Sequence, residues 1–262
     1  MTEGIHAASK ELKSVFGVLA ADVETALALG RLERTDFAER TLLRTYFAQI
    51  EGLCFCMRRV SLACADYVPK LLSQGEIAIL REKKFTLDKK GEVESAREFS
   101  KLLPSILFSL RCFAKVHGAV FQPDTSSAGW CALQEFVKVR NGLEHPKSMA
   151  DLRLSDEHLE VAMIAAAWWK STVLSLFQVC DAANTFWNER RVERLRIDRA
   201  QPRSEPFVGQ ARSARVPISL RLDRKYLFCL KPNERLFIAR WRQCLQPRGL
   251  ESRFPLPSCM WA

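Results

Sequence analysis

One stretch of this chain constrains the fold more than any other. Between Thr35 and about Ala65, the residues Leu43, Tyr46, Phe47, Ile50, Leu53, Cys54, Met57, Val60 and Cys64 recur at helical spacing. They form a wide apolar stripe bordered by Arg44, Glu51, Arg58 and Arg59. Thr35 stands where an N-cap is wanted, so the spacing predicts one long helix with a broad buried face. A helix of that kind needs other helices around it.

The rest of residues 1–195 supplies them. A helix is predicted over about 7–29, ending near Gly30, and a shorter one opening at Pro69 and ending near Lys83. Phe85-Thr86-Leu87, Asp88-Lys89-Lys90-Gly91 and Glu92-Val93 read as a small β-hairpin with glycine completing the turn. Helix resumes over about 95–120, bent at Pro104. The loop Pro123 to Ser127 precedes a helix over about 128–144 that Pro146 stops. Ser155 caps a long last helix, with Asp156 and Glu157 placed favourably against its dipole. Its face carries Leu159, Val161, Ile164, Ala165, Trp168, Trp169, Thr172, Leu176 and Phe177. Adjacent tryptophans point in different directions, so one is expected to face a neighbouring helix and the other a partner or the tail. The expected fold class is all-α: a helical bundle with a small β-hairpin insertion and a basic, weakly structured C-terminal tail.

Composition narrows the setting. At 48% apolar residues, the 262-residue chain has ample material for a packed core. No uninterrupted apolar run approaches the roughly 20 residues that cross a bilayer, and charges break up the N-terminal segment. The expectation is a soluble, cytoplasmic protein with no membrane partner. Nine scattered cysteines offer one close pair, Cys54 and Cys56, without a matching second pair. Free buried thiols are therefore expected, with no metal site and no cofactor. The net charge of +10 is uneven: residues 201–262 hold twelve Arg or Lys against four acids, which accounts for eight of those ten charges. Two readings of residues 196–262 follow, a solvated tail (hairpin or disordered) and a single-strand RNA contact using Tyr226, Phe228, Phe237 and Trp241 among the basic residues.

One segment, Arg140-Asn141-Gly142-Leu143-Glu144-His145, gathers side chains suited to chemistry. Arg140 carries a permanently charged fork that fits phosphate, and a histidine such as His145 can exchange a proton near neutral pH. Asn141 lies four residues before His145, at the spacing of a shared helical face, whereas Arg140 lies five before and off that face. In metal-free RNA cleavage a ribose 2′-hydroxyl attacks the adjacent phosphorus. A base takes the hydroxyl proton, an acid protonates the leaving 5′-oxygen, and a cation steadies the phosphoryl charge. A single His and Arg make a thin site, and two copies across a symmetric dimer make a sufficient one.

At these residues the chain resembles the HEPN superfamily, the higher eukaryotes and prokaryotes nucleotide-binding domain. Its signature is Arg with a polar residue directly after it, and His separated from the Arg by four to six residues. The resemblance covers about residues 35–190. It implies an all-α bundle that dimerises around the motif, and a metal-independent endoribonuclease in a toxin or defence system. Arg140, Asn141 and His145 would then be the catalytic set, with RNA as substrate. A toxin paired with a nucleotidyltransferase antitoxin usually has Tyr two residues after the His. Lys147 stands there instead, which leaves an antitoxin or other regulatory partner open.

The same residues have plainer readings. Arg and His near a helix C-terminus are favoured by the dipole alone, and Glu144 could pair with Arg140 four residues away. Glu51 reads as a helix-face acid balancing Arg58 and Arg59, or as a group turned towards the motif. His6, His117 and His158 read as packing or solvent-facing residues. The competing functions are an enzyme, a non-catalytic HEPN-like dimerisation or interaction module, and a nucleic-acid-binding protein acting through its tail. P-loop, GxGxxG, HExxH and GxSxG patterns are absent.

Overall fold

The structure is a computed structural model and describes residues 2–87, 89, 90, 92–97 and 101–200. The tail expectations for 201–262, including a strand pair there, lie outside the described residues.

Six helices make up the described chain: α1 (Thr2–Leu32), α2 (Asp36–Tyr67), α3 (Gln74–Leu80), α4 (Leu102–Val116), α5 (Ala128–Glu144) and α6 (Asp156–Ala200). A 3-10 turn, Met149–Leu152, joins α5 to α6. Strands β1 (Lys83–Leu87) and β2 (Val93–Arg97) pair antiparallel, with Lys83 opposite Arg97 and Leu87 opposite Val93. The described residues are predominantly α-helical, in agreement with the expected class.

α2 is the axis of the bundle. Its buried positions form a wide face, and α1, α4, α5 and α6 all pack against it. Thr35 caps it, its hydroxyl accepting the Ala38 N–H at 3.2 Å; such a cap contributes about 1 kcal/mol. α1 lies along α2 with Ile5, Ala8, Leu12, Phe16, Ala20 and Val23 buried at intervals of three and four. It is longer than the 7–29 read from the sequence. α5 packs on α6, and the contact is closest at Gly129, where an added Cβ would fall 2.5 Å from that of Trp168. Glycine is therefore required there for helix approach rather than for its backbone freedom.

Four local expectations are corrected. The short helix does not open at Pro69 but at Gln74, because Ser73 and Glu76 form a reciprocal capping box. The helix expected from Ser95 starts at Leu102, Ser95 being part of β2. Pro104 then falls in the first turn, where no N–H is needed, so it imposes no bend. Both Trp168 and Trp169 are buried, so neither ring stands outward as expected. Trp168 packs at a tilt against Trp130, ring centres 5.2 Å apart, and donates Nε1–H to the Asp124 carbonyl at 3.0 Å. The cap expected at Ser155 is present, its Oγ accepting the His158 N–H. α6 continues unbroken past residue 195.

Cys54, Cys56, Cys64, Cys112 and Cys180 are free and buried, and Cys131 is free and exposed. Burial pushes the thiols of Cys54, Cys112 and Cys180 up to about 12, so they are packing groups with little thiolate character. The stretch Asp156–Arg190 of α6 is long and apolar enough to cross a bilayer, but Ala165, Val173, Leu176 and Cys180 are buried in the core, as a central helix requires.

His117, at the end of α4, is a buried histidine with a measurable consequence. It is 1% exposed, packs against Phe113, and approaches Asn184 Nδ2 through Nδ1 at 3.4 Å. Its Nε2 has no partner among the described residues. Burial lowers its pKa from 6.5 to about 4, the Asn184 contact opposing only part of that. The folded state thus binds the proton more weakly than the unfolded chain. Stability from this site is complete above about pH 6.5 and is lost as pH falls towards 4. The expected loss is on the order of 3 kcal/mol. Urea titrations at pH 7 and pH 4.5 should show it in wild type, and His117→Gln should show a much smaller difference.

Candidate active site

α5 carries the motif to its own C-terminus. The helix is regular through Glu144, and His145 is its C-cap, with φ −130° and ψ 62° and its N–H donating to the Asn141 carbonyl at 3.0 Å. Because the backbone has left helical dihedrals at His145, face counting from Asn141 does not place its ring. The His145 side chain is exposed and makes no hydrogen bond or ion pair among the described residues.

Arg140 crosses from α5 to α2. Its Nη2 donates to Glu51 Oε1 at 3.0 Å, its Nη1 donates to Asn141 Oδ1 at 3.2 Å, and its guanidinium lies 5.7 Å from the centre of the Phe47 ring. Phe47 is itself backed by Phe136, centroid to centroid 4.4 Å. The Arg140 side chain is three-quarters buried but keeps solvent contact. Three contacts of different kinds thus fix its fork, and Asn141 serves as one of the anchors.

The pairing expected between Arg140 and Glu144 does not form. Arg140 goes to Glu51, while Glu144 lies 3.4 Å from Arg44. The balance expected between Glu51 and Arg58 or Arg59 is also replaced: Arg58 pairs with Glu82 at 2.8 Å and Arg59 with Glu11 at 2.5 Å. No distortion occurs at Gly142, where an added Cβ would meet Asp151 at ordinary contact distance.

Arg44 closes the end of α5 by donating Nη2–H to the Leu143 carbonyl at 2.8 Å, one of the four carbonyls a helix leaves unsatisfied. The loop after His145 is held by Asp151, which accepts the N–H groups of Lys147 and Ser148 and the Ser148 hydroxyl. Those donors, Lys147 first, hold the Asp151 carboxyl below its usual range. Further along, Arg40 donates to the Leu152 carbonyl at 3.0 Å. Arg40 and Arg44 of α2 therefore pin both ends of the connection that carries His145.

No family model, curated protein or solved structure matches this chain. Sequence reading located Arg140, Asn141 and His145, and singled out Glu51, but it missed Phe47 and Arg44 as site residues. The available signal was spacing: Arg44, Phe47 and Glu51 stand three and four apart, on one face of α2. No group of three or more His, Cys, Asp or Glu side chains arranged to hold a metal occurs among the described residues.

Proposed function

We propose that this protein is an endoribonuclease of the HEPN type, cytoplasmic and acting as a homodimer in a toxin or defence role. The observation that carries the reading is the crossing of Arg140 to Glu51 and Phe47, which fixes a guanidinium on the same helix whose C-cap is the exposed His145. His145 moves the proton between the 2′-hydroxyl, solvent and the leaving 5′-oxygen. Arg140 stabilises the phosphoryl charge through its remaining donors. Asn141 is a positioning residue, holding the Arg140 fork through Oδ1.

A second reading, a non-catalytic HEPN-like interaction module, draws on the same Glu51 contact. A guanidinium already bonded to a carboxylate has less field to offer a phosphate. Incubating the purified protein with total RNA in EDTA separates the two. The enzyme is expected to leave 2′,3′-cyclic phosphate ends, because its nucleophile is the neighbouring 2′-hydroxyl, and its mass by light scattering is expected to be that of a dimer. Intact RNA sinks the enzyme reading. Cleavage by a protein that is monomeric throughout sinks the two-motif model.

A further inference from the structure

The face of α2 that holds Glu51 does not end there. Glu51, Phe55 and Arg58 follow one another at spacings of four and three, so one stripe leads from the Arg140 contact along α2 towards α4. A groove of about 540 Å³ opens along it, bordered across from α2 by Leu102 and Ser105 of α4 and by Glu82. That volume lies within the range of small-ligand clefts, roughly 300–1,000 Å³.

Its chemistry is mixed in a specific way. Phe55 is 52% exposed, a large aromatic face left to solvent. Arg58 is largely buried and donates Nη1–H to Glu82 Oε1 at 2.8 Å, while its Nε is buried with no partner among the described residues. Glu82 has φ 53°, the left-handed region in which a helix ending usually places glycine. The glutamate occupies a backbone position that disfavours it, and Arg58 orients its carboxylate. Glu51 and Glu82 are each already bonded to an arginine, Arg140 and Arg58, so the groove carries no surplus positive charge. A phosphate track would need such a surplus. An uncharged group bearing N–H donors and a flat face fits.

We propose that this groove binds a nucleobase of the RNA substrate and selects guanine. The proposal rests on the ribonuclease reading for the identity of the ligand, because the groove starts at the carboxylate that holds Arg140. The base stacks on Phe55. Its Watson–Crick edge presents an acceptor, O6, followed by two donors, N1–H and N2–H. Arg58 supplies a donor and Glu82 two acceptor oxygens, in the complementary order. Adenine and cytosine match only one donor and one acceptor. Uracil would set a carbonyl oxygen against the carboxylate.

Binding can be read without cleavage, using full-length His145→Ala and fluorescein-labelled oligouridine containing one central guanosine, inosine or adenosine. Guanosine is expected to bind about tenfold more tightly than inosine, which lacks only the N2 donor to a charged acceptor. Glu82→Gln should remove that preference while leaving uridine binding unchanged. Phe55→Ala should weaken the guanosine oligonucleotide about tenfold, and Phe55→Tyr should restore it. Equal affinity for all bases, or a preference that survives Glu82→Gln, overturns the groove assignment. So does capture of a lysine-rich peptide in place of RNA. Selective binding through Phe55 and Glu82 by a wild type that never cuts RNA keeps the groove and overturns only the ribonuclease reading. Cleavage without base preference does the reverse.

Discussion

His145→Ala is expected to abolish RNA cleavage while leaving the fold intact. The side chain is exposed at a helix C-cap and makes no described contact, so its removal should shift the thermal midpoint by no more than a degree or two. The reaction, by contrast, loses its proton carrier, an effect of about 10²- to 10⁴-fold in rate. Arg140→Ala should cost a comparable factor, about 10²- to 10³-fold, through loss of charge stabilisation. Its effect on stability is larger than that of His145→Ala but still small. The Arg140–Glu51 pair keeps solvent contact on both sides, where such pairs contribute about 0–1 kcal/mol, and the Phe47 face adds about 0.5–1 kcal/mol. Arg140→Lys should fail as well, because an ammonium has one nitrogen and no planar fork with which to reach Glu51 and Asn141 separately while facing a phosphate. EDTA should leave the rate unchanged, since no step as drawn uses a metal. Cleavage rates, circular dichroism and melting curves of the three variants decide it: wild-type cleavage by either alanine variant, or inhibition by EDTA, removes the assignment.

The largest stability effect is expected from Phe136→Ala. Phe136 is fully buried in α5 and packs on Phe47, which in turn lies beneath Arg140. Truncation there removes apolar contact and leaves a cavity that two packed helices cannot readily close, at a cost of about 3–5 kcal/mol. For a chain of this size the thermal midpoint should fall by roughly 10 °C. Phe55→Ala, on an exposed ring, provides the contrast and should move it by only a degree or two. The same mutation tests coupling between core and site. With Phe47 no longer backed, Arg140 should lose definition, and cleavage should fall even at temperatures where the protein remains folded. A Phe136→Ala protein with wild-type stability would mean that the α2–α5 contact is not packed as described.

Much of this molecule is written locally. The apolar stripe from Leu43 to Cys64 requires a long helix with a broad buried face, and Thr35 marks its start through a hydrogen bond that spans three residues. α5 was legible to the residue, from Ala128 to Glu144, because a polar loop precedes it and Pro146 bars its continuation. Arg140, Asn141 and His145 were legible as a set for the same reason: their spacing is a property of one short segment. Errors arose where two local signals competed. The Ser73–Glu76 capping box outranked Pro69 as a helix start, and strand pairing claimed Ser95 before helix could.

Partner choice could not be read in this way. Glu144 is four residues from Arg140 and Glu51 is eighty-nine, yet Arg140 bonds Glu51, because α5 lies against α2 and the guanidinium finds both a carboxylate and the Phe47 ring there. Burial of both Trp168 and Trp169 follows likewise from helices on two sides of α6, which no single helical face reveals. The sequence by itself determined which segments are helical, where they stop, and which residues could do chemistry, since those depend on interactions within a few residues. Only the tertiary structure decided what Arg140 touches, why Phe47 and Arg44 belong to the site, and that a groove runs from Glu51 to Glu82. Each of those depends on side chains brought together from helices far apart in the chain, where packing selects one partner among many that charge alone would permit.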